Sequence, residues 1–297
     1  MMHFRFFIFV FLFGFYSLNA SLLPYGQQVR TKEFVLFTMP KTGTHLMIPF
    51  LERLTGKAYG YRSFPDIVPM LEYEKLEEML ANPDVCQVHW WMSPIPKSQV
   101  AQIMNNLASQ DQFLVLHAPY VPGTESLMAE RNCVVFFVIR DPRDFVVSLL
   151  HHLTSYNNSM YEQEWYEADR DKQISDIITG TSWHNSVHTM AHRFLAWRHS
   201  PVCCVLRFEK LIGPSGGACS FEEHLAELRK IKRALNLDTS DGELLEIFND
   251  VYGTGATYRR AVVGTWKEYF NDYHKEVFKQ ALGDVLIGLG YERDYNW

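Results

Sequence analysis

The sequence lacks the features by which proteins commonly bind metals or nucleic acids. Its five cysteines form no CxxC pair and no cluster with histidine at zinc-site spacing. Lysine and arginine total 28 against 34 aspartate and glutamate residues, and the resulting formal charge of −6 disfavours nucleic acids and broad anionic membranes as partners. We therefore expect no metal and no nucleic acid, and any anion site must be local.

Low-complexity segments, flexible linkers and fixed-period repeats are also missing, which excludes a solenoid and a string of separate modules. The chain has 297 residues, of which 47% are hydrophobic and 14% aromatic, so it can bury one sizeable core. The sequence therefore predicts a single domain over residues 30–297, preceded by a segment of a different kind.

That first segment, MMHFRFFIFVFLFGFYSLNA, has one arginine, an unbroken apolar run from Phe6 to Tyr16, and the small residue Ala20 where cleavage would fall. This pattern is typical of a secretory signal peptide over residues 1–20 and predicts an exported or lumenal protein. The alternative is an N-terminal anchor, because residues 6–23 approach the roughly 20 residues that span a bilayer. Polar residues interrupt that extension, so cleavage is favoured, and a membrane is expected as partner only if the anchor remains.

Short apolar runs alternate with helical patterns through most of the chain. Strand character marks residues 34–38, 85–89, 113–117, 134–139 and 202–207; helical spacing marks residues 44–54, 96–107, 142–152 and 221–235. This order predicts a three-layer α/β fold with a central parallel sheet of about five strands covered on both faces. Ligands of such sheets bind beyond the carboxyl ends of the strands, so the loops after these strands should share one crevice.

The stretch EFVLFTMPKTGTHL, residues 33–46, runs from a strand into a helix through Pro-Lys-Thr-Gly-Thr. The first N–H groups of a helix have no backbone partner, and with the helix dipole they form an anion site. Gly43 lets the backbone approach the anion, Thr42 and Thr44 add hydroxyl donors, and Lys41 adds a mobile charge. Pro49 falls inside the predicted helix and should bend it or end its first segment.

This loop differs from the P-loop that holds nucleoside triphosphates. That motif reads GxxxxGK followed by Ser or Thr, whereas here Lys41 precedes Gly43 and no earlier glycine is present. The cradle is therefore suited to one phosphate group rather than to a triphosphate with Mg²⁺.

A second element, CVVFFVIRDPRDFVVSLLHHL, joins a buried strand to another helix over residues 133–153. Arg140 ends the strand, and Asp141 followed by Pro142 predicts the first residues of the helix. Ser148 lies eight residues after the arginine, about 12 Å along the helix axis. Arg140 is thus expected in the same crevice as Lys41.

Together these segments resemble the sulfotransferases that use 3′-phosphoadenosine 5′-phosphosulfate (PAPS). PKTGTHL is similar to the family's 5′-phosphosulfate loop, and VIRDPRDFVVS to its 3′-phosphate element, with the Arg-to-Ser spacing preserved. The resemblance implies that the co-substrate is contacted by Lys41, Thr42, Gly43, Thr44, His45, Arg140 and Ser148.

Two further segments resemble the same family in the same order. VLRFEKL, residues 205–211, is similar to the strand and turn that present an aromatic residue near the adenine, here Phe208. YRRAVVGTWKEYF, residues 258–270, resembles the basic loop before a Gly-x-Trp, which implies that Arg259 and Arg260 bind the 3′-phosphate. Leu46 and Ala261 depart from the family pattern, which commonly has Trp and Gly there, but neither change removes a catalytic group.

Sulfuryl transfer needs a base, because the acceptor loses a proton as its bond to sulfur forms, and an imidazole suits that role. His117 ends a predicted strand one element before Arg140 and resembles the family's catalytic histidine in that position and in the following proline; His89 is the alternative. Lys41 is expected to stabilise charge on the leaving phosphate. No metal is called for, since Lys41, His45 and Arg140 supply positive charge.

The resemblance implies a sulfotransferase that moves the sulfuryl group of PAPS to a hydroxyl or amine of a small-molecule, carbohydrate or tyrosine acceptor. Trp90, Trp91, Tyr120 and residues 155–183, a predicted pair of surface helices or a lid, could line the acceptor pocket. Two alternatives stay open: a catalytically silent secreted nucleotide-binding protein of the same fold, and a Mg²⁺-dependent nucleotide kinase.

Overall fold

The alternating apolar runs of the sequence form the strands of a central sheet. The computed structural model describes residues 31–60, 78–89, 93–155, 163–180, 186–217, 219–254 and 262–297. Its strands are β1 (Phe34–Thr38), β2 (Ala58–Gly60), β3 (Val85–Cys86), β4 (Ile95–Pro96), β5 (Gln112–Leu116), β6 (Val134–Ile139) and β7 (Cys203–Arg207).

Helices connect these strands. They are α1 (Thr44–Thr55), α2 (Lys97–Ala108), α3 (Pro122–Glu130), α4 (Pro142–Ser155), α5 (Gln163–Glu167), α6 (Arg170–Thr179), α7 (Val187–Leu195), α8 (Phe208–Leu211), α9 (Phe221–Leu235), α10 (Asp241–Val251) and α11 (Asp272–Gly288). Short 3₁₀ segments cover Ala196–His199, Pro214–Gly216 and Thr265–Glu268.

The main sheet has five parallel strands in the order β2-β5-β1-β6-β7. Side chains alternate along β1, so that Val35 and Phe37 join the core on one face while Phe34 and Leu36 join the core on the other. Helices α1, α9 and α10 cover the second face, and α2, α4, α6, α7 and α11 cover the first. The predicted three-layer α/β fold is confirmed, because strands buried on both faces require this arrangement.

One predicted strand of the main sheet was wrong. Residues 85–89 contribute the strand Val85–Cys86, which pairs antiparallel with Ile95–Pro96 in a separate two-stranded sheet, and a single parallel bridge from His89 to His117. The backbone N–H of Gln87 donates to the Thr124 hydroxyl at 3.3 Å, so the chain leaves strand pairing there. The fifth strand is instead the three-residue β2, which is too short to be recognised by its periodicity.

Helix α1 differs in detail from its prediction. It begins at Thr44 rather than near residue 42, and it continues past Pro49 to Thr55. Pro49 is the sixth residue of this helix and removes one backbone donor, while tertiary packing of Met47, Phe50 and Leu51 stabilises the helix around it.

The predicted pair of surface helices between residues 155 and 183 corresponds to α5 and α6, whose neighbours 156–162 and 181–185 lie outside the described residues. Ile174, Ile177 and Ile178 bury one side of α6 in the core. Residues 1–30, with the predicted signal peptide, also lie outside the described part. Within the described part, no helix is both long enough and apolar enough to cross a bilayer.

Candidate active site at the carboxyl edge of the sheet

A tight turn joins β1 to α1 and forms the predicted cradle. Lys41 has φ 66° and Gly43 has φ 118°, both in the left-handed region, which costs free energy for a lysine. Thr42 is buried, and both its backbone N–H and its hydroxyl are directed at the Met39 carbonyl, at 3.3 and 2.8 Å. The turn is therefore held from within, with Lys41 at its tip.

Gly43 is required at its position for two reasons. A left-handed φ disfavours any side chain, and a Cβ atom there would lie 2.9 Å from Cδ2 of Phe208. The Phe208 ring thus packs directly on the cradle backbone. The guanidinium of Arg140 lies 4.4 Å from the centre of the same ring, and its Nη1 donates to the Lys41 carbonyl at 3.0 Å. Four residues predicted from three separate motifs, Lys41, Gly43, Arg140 and Phe208, are brought together here.

Arg140 occupies a position from which it can bind an anion. Burial lowers the pKa of its guanidinium, although the nearby carboxylates of Asp144, Glu209 and Asp141 raise it. Its Nε atom is buried and makes no hydrogen bond within the part of the chain that the structure describes. Burying a guanidinium N–H without a hydrogen-bond acceptor costs free energy. A phosphate oxygen of a bound ligand would supply that acceptor.

The candidate base, His117, directly follows β5. Its Nδ1 atom lies 2.9 Å from the Thr38 carbonyl oxygen and 3.0 Å from the Thr38 hydroxyl oxygen. A carbonyl oxygen only accepts, so Nδ1 carries the proton in the neutral ring and Nε2 keeps a lone pair. Burial, with smaller effects of the charges on His45 and Lys41, lowers the pKa of His117 to about 4. The ring is therefore neutral at pH 7.

Lys41 lies within electrostatic reach of this base. Burial, and then the charge of Arg140, lower the pKa of Lys41 to about 8. The ammonium group remains mostly protonated at pH 7, yet it releases a proton more readily than an exposed lysine. Burial and the charge of Lys41 also lower the pKa of His45.

Two more histidines belong to this neighbourhood. The ring of His89 meets that of His117 edge-on, with centroids 5.3 Å apart, and the two residues share a parallel backbone bridge. His152 was missed by the sequence analysis: burial, and then the charges of Lys41 and His45, lower its pKa to about 4. A signal existed, because His152 follows Ser148 by four residues and so lies on the same face of α4.

The structure also describes three other residues predicted for the site. Ser148 lies partly buried in the second turn of α4. Tyr120 donates from its hydroxyl to Glu125 at 2.7 Å, and its ring packs edge-on against Trp197. Thr44 lies at the start of α1, with its hydroxyl oxygen 2.7 Å from that of Thr38. The predicted residues Arg259, Arg260, Trp90 and Trp91 lie outside the described part of the chain.

A carboxylate that the sequence analysis missed connects α4 to the Gly-x-Trp segment. Asp144 accepts hydrogen bonds from the backbone N–H groups of Gly264 and Trp266, at 2.8 and 3.0 Å. The neighbouring Arg143 places its guanidinium 4.0 Å from the centre of the Trp266 ring and pairs with Asp141 at 2.8 Å. The segment that follows the basic loop is thus fixed to the first turn of α4, directly after Arg140.

The central strand of this parallel sheet turns tightly into a helix. This arrangement is typical of α/β proteins that bind phosphate groups at a helix N-terminus. Within that class, the chain belongs to the sulfotransferase family, because the model of the sulfotransferase domain matches residues 31–290. The resemblance inferred from the four motifs is confirmed. The chain is accordingly a sulfotransferase rather than a nucleotide kinase.

Individual relatives agree with this assignment. A flavonol sulfotransferase-like protein of Flaveria bidentis is 27% identical over 228 residues, which cover 66% of this chain and 68% of the relative. A mouse sulfotransferase complexed with PAP superposes with a TM-score of 0.55 at 16% identity, covering 88% of each chain. Retinol dehydratase in complex with androsterone and inactive cofactor PAP gives a TM-score of 0.52 at 13% identity, covering 86% of this chain and 80% of the other. These structural matches establish the fold.

Proposed function

We propose that the protein transfers the sulfuryl group of PAPS to a hydroxyl group of a small-molecule acceptor, with His117 as general base and Lys41 stabilising the leaving phosphate. The observation that carries this proposal is the hydrogen bond between Nδ1 of His117 and the Thr38 carbonyl, because it leaves Nε2 able to accept a proton. Thr38 also ends the strand that leads into the cradle, so base and cradle are connected through one residue.

The residues present fit PAPS as donor. Lys41, Thr42, Gly43, Thr44 and His45 would hold its 5′-phosphosulfate, and Phe208 would lie near its adenine. Arg140, Ser148, Arg259 and Arg260 would hold its 3′-phosphate. The buried Nε of Arg140 and the close approach that Gly43 permits support this fit. Two proteins of the same fold were crystallised with PAP, which is consistent with the same nucleotide here.

The donor supplies an activated sulfuryl group, and the side chains position and neutralise charge. As the acceptor oxygen bonds to sulfur, the bond from sulfur to the phosphate oxygen breaks, and Nε2 of His117 takes the hydroxyl proton. The products are the sulfate ester, the 3′,5′-bisphosphate nucleotide and one proton. Lys41 neutralises charge on the leaving oxygen. An anionic donor beside them raises the pKa of His117 and Lys41 toward their ordinary values, which makes His117 a stronger base in the complex.

A small hydroxyl compound with an apolar ring system is the acceptor class we favour over a carbohydrate or a peptide tyrosine. One relative is named for a flavonol, and one structural neighbour is bound to androsterone. Tyr120, three residues after His117, is only partly buried and could contact such a ring system, while the fully buried Trp197 packs edge-on against it with ring centroids 5.1 Å apart.

We also propose that the protein acts in the secretory pathway, with residues 1–20 removed on export. The apolar run and Ala20 support this placement. Expression of the full chain in a secreting host, followed by N-terminal sequencing, tests it: a new N-terminus at residue 21 is expected, whereas an intact N-terminus in the membrane fraction would identify an anchor.

Calorimetric titration with 3′,5′-adenosine bisphosphate, without added metal, tests the nucleotide site. We expect binding that Arg140→Ala abolishes and that His117→Ala retains, because the first residue holds phosphate and the second acts on the acceptor. Labelled PAPS with a panel of phenols and sterols then tests turnover, which His117→Ala should abolish. Binding without turnover of any acceptor would favour the silent nucleotide-binding protein, and no binding by the folded protein would overturn the proposal.

A further inference from the structure

We propose that helix α7 carries a binding site for a divalent transition-metal ion such as Ni²⁺ or Zn²⁺, chelated by the imidazoles of His188 and His192. The two residues are one helical turn apart, and neither has a part in the proposed sulfuryl transfer. The inference rests on their geometry and is independent of the proposed function.

The two rings already lie side by side. Their centroids are 4.3 Å apart with an angle of 60° between the ring planes, and both side chains are exposed to solvent. Residues four apart lie on the same face of a helix. Two histidines at this spacing can bind one metal ion together. Imidazole nitrogen is a preferred ligand of Zn²⁺, Ni²⁺ and Cu²⁺.

The helix that presents the pair is fixed in orientation. Its opposite face is buried in the core through Val187, Met190, Ala191, Phe194 and Leu195. Its first turn is capped by Ser186, whose hydroxyl accepts a hydrogen bond from the Thr189 N–H at 3.1 Å. Because packing and capping set the rotation of α7, the two imidazoles are held on the solvent side before any ion arrives, which lowers the entropic cost of chelation.

The cationic residue next to His192 is held away from the pair. The nearest cationic neighbour on the helix, Arg193, is directed elsewhere, since its Nη2 donates to Oε1 of Gln87 at 2.5 Å. No group of three potential ligands occurs within the described residues, so water would complete the coordination of a bound ion.

The position of the site links it to the segment after His117. The carbonyl of Arg193, next to His192, accepts a hydrogen bond from the Tyr120 N–H at 2.8 Å. Just beyond α7, the indole Nε1 of Trp197 donates to the Ala118 carbonyl at 3.0 Å. An ion bound by two residues of α7 therefore stabilises a helix to which the segment after His117 is hydrogen-bonded. We expect the unfolding temperature of the protein to rise when the metal is added.

Calorimetry of the purified full chain with NiCl₂ and ZnCl₂ in turn, and with MgCl₂ as the hard-cation control, tests the proposal. One ion per chain should bind, with Ni²⁺ tighter than Zn²⁺ and Mg²⁺ without detectable binding. His188→Ala and His192→Ala should each weaken Ni²⁺ binding by about 100-fold, because the second imidazole acts as a tethered ligand. His199→Ala, which removes an exposed histidine bonded to Arg198, is the matched control and should leave the affinity unchanged.

Both variants lie on the exposed face of α7, and circular dichroism will establish that they fold. Ni²⁺ should also broaden the histidine side-chain NMR signals of His188 and His192 before any others. An unchanged Ni²⁺ affinity in His188→Ala, or a wild-type protein that fails to bind Ni²⁺ and Zn²⁺, would overturn the site. Neither result bears on nucleotide binding, which is measured without metal.

Discussion

The Nδ1 atom of His117 lies 2.9 Å from the backbone carbonyl oxygen of Thr38 and 3.0 Å from its hydroxyl oxygen. The same hydroxyl oxygen lies 2.7 Å from that of Thr44, the first residue of α1. A single residue at the end of β1 thus connects the candidate base on one neighbouring strand to the start of the helix behind the cradle.

Replacing the Thr38 hydroxyl tests whether this connection orients the base. Thr38→Val keeps the backbone carbonyl, so the tautomer of His117 is retained while the ring loses one of its two contacts. We expect kcat to fall about tenfold, which corresponds to one hydrogen bond of ~1.4 kcal/mol, with little change in nucleotide affinity. Thr38→Ser, which keeps the hydroxyl, should retain most of the activity. A loss of nucleotide binding in Thr38→Val would show instead that the cradle itself had moved.

Stability should fall as the pH falls from 6.5 to about 4. Burial is the main cause that lowers the pKa of His117 and of His152 to about 4, from an ordinary 6.5. Between these values the unfolded chain binds protons that the folded chain does not, so acid favours unfolding, with a slope of at most ~1.4 kcal/mol per pH unit for each histidine. His152 is partly exposed and should contribute less than His117.

Urea unfolding at pH 5 and pH 7 measures this effect. His117→Gln should reduce the loss of stability between the two pH values, whereas His199→Gln, at an exposed histidine, should leave it unchanged. An identical pH dependence in His117→Gln and the wild type would show that His117 titrates in the folded protein as it does in the unfolded chain.

Gly43→Ala should weaken nucleotide binding and destabilise the fold. The left-handed φ of 118° and the close approach of an added Cβ to Phe208 both disfavour a side chain at this position. We expect the free energy of unfolding to fall by roughly 1–3 kcal/mol from the backbone strain alone. Gly56→Ala is the matched control, because its φ is also positive but no atom lies within 4 Å of the added Cβ. If Gly43→Ala binds 3′,5′-adenosine bisphosphate as tightly as the wild type does, the contact with Phe208 does not shape the cradle.

Asp144→Asn should weaken binding of 3′,5′-adenosine bisphosphate by about tenfold, since one of the two N–H groups of the Gly264–Trp266 turn then faces an amide donor rather than an acceptor. We expect kcat at saturating PAPS to change little, because Asp144 contacts no reacting group. Asp284→Asn, at a surface carboxylate bonded to Tyr295, is the control. A lower kcat with unchanged nucleotide affinity would contradict a role for Asp144 in positioning the Gly-x-Trp segment.

Much of the fold could be predicted from the sequence because its central strands are apolar on both faces and its helices have clear starts. Strand β1 and helix α9 coincide with their predictions, and Pro142 marks the beginning of α4. The prediction for residues 85–89 was wrong because a short apolar run does not show whether its backbone will hydrogen-bond to a distant side chain. Here the Thr124 hydroxyl accepts a hydrogen bond from the backbone of this run.

The meeting of Lys41, Arg140 and His117 was predictable for a topological reason: loops after parallel strands emerge at one edge of the sheet. The role of Asp144 was not, because nothing in RDPRD shows which carboxylate reaches a turn 120 residues away. His152 was similarly hidden, since twelve histidines share the chain and only the packing of α4 brings this one within electrostatic range of Lys41.

The strand order has a consequence for how this enzyme could diversify. Strand β1, which leads into the cradle, lies between β5, which precedes His117, and β6, which precedes Arg140. Under the roles proposed for His117 and Arg140, the acceptor and the donor are therefore bound on opposite sides of one strand. With those roles, substitutions around β5 and Tyr120 would change which acceptor is bound without altering the contacts to the donor, so new specificities could arise by gradual evolution.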